Sequence, residues 1–334
     1  MNETILITGG TGFVMSNLAR FLLEGDPEAR VIVLDSAPWD ATAERFFDPV
    51  SERLTFVSTS VLDPDIWEHL AEEHSVTHIV HGATITPSLE REKARPREIL
   101  EVNFMGTVAA LEWARTLSTL RRFLYISSGA VYGEALPGTP DEPVPEDGHV
   151  SPAELYGITK FTGEHITRRY GELFGLSVAS VRGSGVYGPM DRETPARAAK
   201  SIPYLLAHLA QAGKPVLVNS LEAGGDWVHA QDVARALAAL LRIPRLRHGV
   251  YDIAQGEFTT IGEMIEIVRE VVPGLRSAVV PEADANIVQD PRHRLGRWSD
   301  YDISRIRDEL GWSPRPIREG LQSYVNWLKS YPEN

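Results

Sequence analysis

The sequence predicts an α/β fold, a doubly wound parallel sheet with a smaller C-terminal lobe. Three observations point there. Short β-branched runs alternate with longer amphipathic segments. The runs are apolar almost throughout, as strands buried on both faces are. The first run also passes through a glycine-rich turn into the first amphipathic segment. Alternation of this kind reads as βαβ units on one parallel sheet.

The first strand is "TILIT", and "GGTGF" leads from it into the amphipathic stretch ending at "RFLLEGD". Further strands are "RVIVLD", "LTFVS", "THIVHGA", "RFLYISS" and "LSVASVRG". Between the fourth and fifth lies "PREILEVNFMGTVAALEWART", and between the fifth and sixth "AELYGITKFTGEHITRRYGELFG". Both carry apolar residues at helical spacing, so each is expected as one helix. The alternation is regular to Arg182, then loosens into "SGVYGPMDRETP" and "NSLEAGGD". The expected organisation is a Rossmann-type domain over 1–182 and a substrate lobe from 183–225 and 256–334. Residues 226–255, through "DWVHAQDVARALAALLR" and "GVYDIA", are expected to return to the main sheet.

Composition narrows the function. With 334 residues, 43% of them hydrophobic, the chain has enough material for a large core. A formal net charge of −13 argues against nucleic acid and anionic membranes as partners. The absence of cysteine removes disulfides, thiolate catalysis and thiolate metal sites, and fits a cytoplasmic protein. No apolar run approaches membrane-spanning length, and the early first strand leaves no room for a signal peptide.

Gly9 and Gly12 sit between strand and helix, where glycine permits a tight turn and close approach of backbone to a pyrophosphate. Asp35 closes the second strand, where an acid accepts hydrogen bonds from an adenosine ribose. It would repel a 2′-phosphate, which favours NAD over NADP. Met15 stands where a third glycine would pack helix against strand, so either the helix tilts or its neighbours shrink.

In "ELYGITKFTGE", Tyr156 and Lys160 lie one turn apart on one helix face. A phenol titrating near pH 10 is a poor base at neutrality, and an ammonium beside it favours the phenolate. Such a tyrosine can take the proton of a secondary alcohol while hydride leaves the same carbon. Upstream, Ser127 and Ser128 close a strand at the end where open α/β sheets bind ligands.

These pieces together resemble the extended short-chain dehydrogenase/reductases, the NAD-dependent epimerase/dehydratase family that includes UDP-galactose 4-epimerase. The stretches carrying the likeness are "TGGTGFV", "VLD", "VHGAT", "EVNFMGT", "YISSGAVYG", "YGITK", "VRGSGVYGP", "DWVHAQDVA" and "LGWSP", in the family's order. The resemblance implies Ser128, Tyr156 and Lys160 as the catalytic set, with Tyr156 as acid/base. It implies Gly9, Gly12, Phe13, Val14, Asp35, Ser60, Val61, Ala83 and Asn103, with Tyr156 and Lys160, as contacts to NAD. Thr84, Ser128, Ser184 and Arg292 fall on the substrate side, and a homodimer through the two long helices is implied.

The departures bear on the substrate. Ser128-Gly129-Ala130 has no carboxylate where family dehydratases resemble Thr-Asp-Glu, which speaks against dehydration. Gly185 and Gly225 replace an asparagine and an arginine that help hold a nucleotide sugar's diphosphate, and each lost contact to a charged group is worth ~1.5–3 kcal/mol. Arg292 matches a phosphate-binding arginine and equally suits a carboxylate. The expected activity is hydride transfer at a secondary alcohol of a sugar or sugar acid, by an epimerase or a dehydrogenase. A UDP-sugar 4-epimerase is the nearest alternative, and a non-catalytic NAD-binding regulatory or scaffold protein the alternative of another class.

Other signals are weaker. His78 and His81 face opposite sides of one strand and make a poor metal pair, and no metal site is expected. The tryptophans read as core or rim aromatics, and the acidic stretch "PDEPVPEDGH" as a solvated loop edging the site.

Overall fold

The computed structural model describes residues 3–86, 88–133, 142–197, 200–289 and 300–331. The six expected strands form β1 (Thr4–Thr8), β2 (Arg30–Asp35), β3 (Leu54–Ser58), β4 (His78–His81), β5 (Arg122–Ile126) and β6 (Val178–Gly183). They are followed by β7 (Gly185–Tyr187), β8 (Val216–Val218), β9 (Gly224–His229), β10 (Val250–Ile253), β11 (Phe258–Thr260) and β12 (Ser277–Val279). The main sheet is parallel throughout, in the order β10-β6-β5-β4-β1-β2-β3. The strand order reverses at β1, so a crevice opens beyond the carboxyl ends of β1 and β4.

Alternation along the strands builds a layer on each face. Ile5, Ile7, Val31 and Val33 pack with Leu18 and Leu22 of the Phe13–Gly25 helix and with Val233, Leu237 and Leu240 of the Ala230–Arg242 helix. Leu6, Ile32, Ile79, Phe123 and Tyr125 point the other way, against Trp67, Leu70, Leu111 and Trp113. The C-terminal lobe has its own core, from Leu206 and Ile265 to Leu321 and Tyr324, around the β11-β9-β7 and β12-β8 sheets. Residues 224–229 therefore pair within the small sheet, and what rejoins the main layer is the following helix and β10.

Two local readings change. The segment read as one helix before β5 is interrupted: helix Pro96–Leu100, a π-helical turn Glu101–Met105, then helix Gly106–Ala114. The Asn103 side chain in the wide turn is bound to the backbone of Ile85, as such turns at functional sites often are. The acidic loop is not simply solvated. Glu146 is buried, lies 3.2 Å from Arg305 and accepts the Asp252 N–H. It belongs to a buried network in which Arg182 reaches both carboxylate oxygens of Glu164 (2.8 and 2.7 Å) and the Tyr132 hydroxyl (2.9 Å). Tyr132 in turn donates to Asp252 (2.6 Å). Among the described residues no helix is long and apolar enough to cross a membrane.

Candidate active site

The cofactor loop is shaped by contacts that only glycine permits. Gly9 has φ +69°, and a Cβ there would fall 2.9 Å from the backbone of Ala83. No side chain caps the Phe13–Gly25 helix, which leaves its first N–H groups and dipole facing the loop. Asp35 is pinned beside it. One carboxylate oxygen accepts the Thr11 N–H (3.0 Å) and hydroxyl (2.7 Å), and the other accepts the Ala37 N–H (2.9 Å). A bare helix N-terminus, a cradle that a Cβ would fill and an acid one strand away fit NAD: pyrophosphate at the helix, ribose at Asp35.

Met15 settles against a neighbour that has shrunk. It is buried, and a Cβ on Gly82 would fall 2.6 Å from its Cγ and 2.7 Å from its Sδ. The thioether thus occupies the space of an absent side chain at the end of β4. The bulk of one residue and the bareness of the other belong together.

A buried chain of hydrogen bonds joins this loop to the catalytic helix. Thr8 Oγ1 lies 2.9 Å from His81 Nδ1, and Thr107 Oγ1 lies 3.2 Å from His81 Nε2. Thr107 gives its one hydroxyl proton to the Asn103 carbonyl (2.7 Å), so it accepts from Nε2–H. Nδ1 is then bare and accepts from Thr8, whose oxygen takes the N–H groups of Gly82 (3.2 Å) and Ala83 (3.1 Å). Burial, with the charge of Lys160, lowers His81 to about 3, which keeps this neutral tautomer. Asn103 continues the chain to the Thr159 hydroxyl (3.2 Å), which donates to the Tyr156 carbonyl (2.8 Å). His78 is occupied separately, with Nδ1 2.9 Å from the Thr77 hydroxyl. Among the described residues no group of acids and histidines is arranged for a metal ion.

On the far side of the crevice the Leu155–Phe174 helix carries Tyr156 and Lys160. Lys160 Nζ donates to the Ile126 carbonyl (2.7 Å) and stands 5.6 Å from the centroid of the Tyr156 ring. Burial pushes it down to about 7, against the opposing pull of Glu164. Burial also raises the Tyr156 phenol above its ordinary value, while a hydrogen bond with Ser128 and the charge of Arg197 pull it down. Lys160 therefore stands beside the phenol as the helical spacing expects, and Arg197 is a second cation whose charge favours the phenolate. That guanidinium holds Asp191 (2.9 and 3.3 Å) and stacks 5.2 Å over the Phe13 ring.

One cavity of about 660 Å³ brings these parts together. Of the residues expected from sequence, Gly9, Gly12, Phe13, Val14, Asp35, Ser60, Val61, Ala83, Thr84, Ser128, Tyr156, Lys160 and Ser184 line it. Asn103 does not; its side chain is spent on Ile85 and Thr159. Arg292 lies outside the described residues. The sequence reading passed over Arg197, Tyr301 and the role of Gly82, and it assigned Trp227 to the core or rim although this residue lines the cavity. Arg197 had no local signal, because its place depends on Asp191 and Phe13. Trp227 had one: it lies two residues after Gly225 on a strand and so shares its face.

A nucleotide-binding crevice opposite a Ser-Tyr-Lys cluster defines an NAD-dependent enzyme of the extended short-chain type. Residues 5–254 match the model of the NAD dependent epimerase/dehydratase family, and the chain belongs to that family. A curated relative, the dTDP-glucose 4,6-dehydratase of Actinoplanes sp., is 29% identical over 337 residues, covering 98% of each chain. Among solved structures, UDP-glucose 4-epimerase of Thermotoga maritima with UDP-glucose superposes with TM-score 0.79 at 23% identity, over 99% of this chain and 100% of that one. UDP-glucuronic acid 4-epimerase of Bacillus cereus, with UDP-glucuronic acid and NAD, superposes with TM-score 0.77 at 22% identity, over 98% and 99%.

The Met15–Gly82 contact is testable by a double-mutant cycle. Met15→Ala is expected to cost ~2–5 kcal/mol as a cavity and Gly82→Ala ~1–3 kcal/mol as overpacking. The double variant should lose less than their sum in urea unfolding; strict additivity would show that the two do not touch. A second expectation concerns pH. Since the charge of Arg197 favours the phenolate, Arg197→Ala should move the rising, low-pH limb of alcohol oxidation to higher pH. A kcat/KM profile that stays in place would show that this charge does not act on Tyr156.

Proposed function

We propose that this protein oxidises a secondary alcohol of a sugar or sugar acid with NAD, as an epimerase or a dehydrogenase. The observation that carries the reading is that Asp35 and the glycine loop share one cavity with Ser128, Tyr156 and Lys160. In this reading the Ser128 hydroxyl bonds the substrate oxygen and Tyr156 Oη takes the hydroxyl proton. Lys160 holds the cofactor's ribose, and its ordinary charge is weakened by burial. NAD, when bound, accepts the hydride from the same carbon. Tyr156 would return the proton to the substrate oxygen if the ketone is held for reduction on its other face, as in an epimerase; release of the ketone instead marks a dehydrogenase. Residues 1–182 with 230–255 serve the cofactor, and 183–229 with 256–334, β9 included, serve the substrate. A second reading, a UDP-sugar 4-epimerase, is favoured by what the relatives act on. It requires a diphosphate anchor that Gly185 and Gly225 do not supply.

The test is incubation with NAD and a panel of free sugars, sugar acids and nucleotide sugars, following NADH absorbance and product isomers. Accumulated NADH marks a dehydrogenase, and isomer without accumulation an epimerase. Tyr156→Phe should lose ~10²–10⁴-fold in turnover at unchanged NAD affinity. Near-normal turnover would place the base elsewhere.

The same reading includes a cytoplasmic homodimer. Leu100 (42% exposed), Met105 (48%) and Ile158 (40%) stand on the two helical segments expected at the two-fold. A helix apolar beyond its core face needs a second cover. Light scattering at micromolar concentration should give twice the chain mass, and a monomer would remove the dimer.

A further inference from the structure

The small sheet presents an unusual wall to the cavity. Gly225 and Trp227 are two apart on β9 and share a face, and Gly185 on β7 is the register partner of Trp227. All three line the cavity. The indole covers both glycines. A Cβ on Gly185 would fall 2.6 Å from Trp227 Cε3 and 2.7 Å from Cζ3, and one on Gly225 would fall 3.3 Å from Nε1 and Cε2. No side chain can project from 185 unless the ring moves. An aromatic laid over a bare cross-strand backbone is a stable arrangement in its own right. The two glycines are therefore not an empty anchor. Their space is filled.

Among the described residues, the charges near this wall are matched within the protein. Asp226 lines the same cavity, and its carboxylate is bound by the Ser184 hydroxyl (2.8 Å) and the N–H groups of Gln255 (2.7 Å) and Gly256 (2.9 Å). Of the arginines and lysines lining the cavity, Arg91 is paired with Glu98, Arg197 with Asp191 and Lys200 with Glu193, while Lys160 is held at Ile126. What lacks partners among the described residues is neutral. Thr84 Oγ1, Trp227 Nε1 and Tyr301 Oη, all on cavity-lining residues, are buried without a hydrogen bond. Buried polar atoms without partners are uncommon in folded proteins and call for a ligand or a second arrangement. An indole face edged by neutral hydroxyls matches an uncharged sugar ring, whose C–H face is apolar and whose rim carries hydroxyls.

We propose that Trp227 is the specificity-determining residue of the substrate end: a platform for an uncharged sugar ring, laid over the two glycine positions from which side chains would otherwise reach a diphosphate. This rests on reading the cavity as a site of hydride transfer on a sugar. It narrows the substrate to one whose group at β7–β9 is a free ring rather than a nucleotide.

The experiment uses the NAD-loaded protein. Calorimetry with UDP, uridine and UDP-glucose should show no saturable binding up to millimolar concentration, whereas a free neutral sugar from the panel is turned over. With that free substrate, Trp227→Ala should raise KM by about tenfold or more, with kcat held within about twofold and NAD affinity unchanged. Trp227→Phe, which keeps a ring over the glycines, should restore most of the KM and serves as the control if the alanine variant folds poorly. Micromolar binding of UDP or uridine by the wild type, or an unchanged KM in Trp227→Ala, would overturn the proposal. Turnover of nucleotide sugars alone would overturn it and leave hydride transfer standing. Failure of every compound to exchange hydride while NAD binds would remove the underlying reading and the proposal with it.

Discussion

The neutral imidazole of His81 is the join on which the two halves of the crevice depend. One nitrogen accepts from Thr8 at the mouth of the cofactor loop, and the other donates to Thr107. Through Asn103 and Thr159 the same chain ends at the backbone of Tyr156. A protonated ring would have two donors and would break the link to Thr8 or force that hydroxyl to turn away. Full burial is what keeps the ring neutral. The distance between the glycine loop and the Tyr156 backbone is thus set inside the protein rather than by the loops at its surface.

Around that join the site uses charge sparingly. The same burial that holds His81 neutral lowers Lys160 and raises Tyr156, so local desolvation outweighs pairwise attraction there. Full charges persist where they are matched, as in the two-point contact of Arg182 with Glu164 beneath the serine pair. Ser127 donates to that same carboxylate at 2.5 Å, so of the two adjacent serines along the cavity Ser127 is spent on Glu164 while Ser128 bonds Tyr156.

Much of this was legible along the chain, for local reasons. β-branched runs such as "RVIVLD" became strands because both faces of a central sheet are buried, and Tyr156 and Lys160 met because helical spacing guarantees it. The interruption at Asn103 was hidden because the Ile85 backbone that the side chain binds lies on another element. Arg197 was hidden for the same reason. Trp227 packs against the core of the small lobe and also paves the cavity, a second role that a tryptophan in a sequence does not reveal. Glu146 looked solvated because its run is acidic, yet its partner Arg305 lies far along the chain.

The contact of Met15 with Gly82 also constrains how this chain can change. A larger residue at 82 meets the thioether, and a smaller one at 15 leaves a void beside the nucleotide floor. Each position constrains the other, because either single step passes through a worse-packed protein. Lineages carrying this pair are expected to keep both or exchange both, which makes positions 15 and 82 a heritable mark of descent independent of what the enzyme binds.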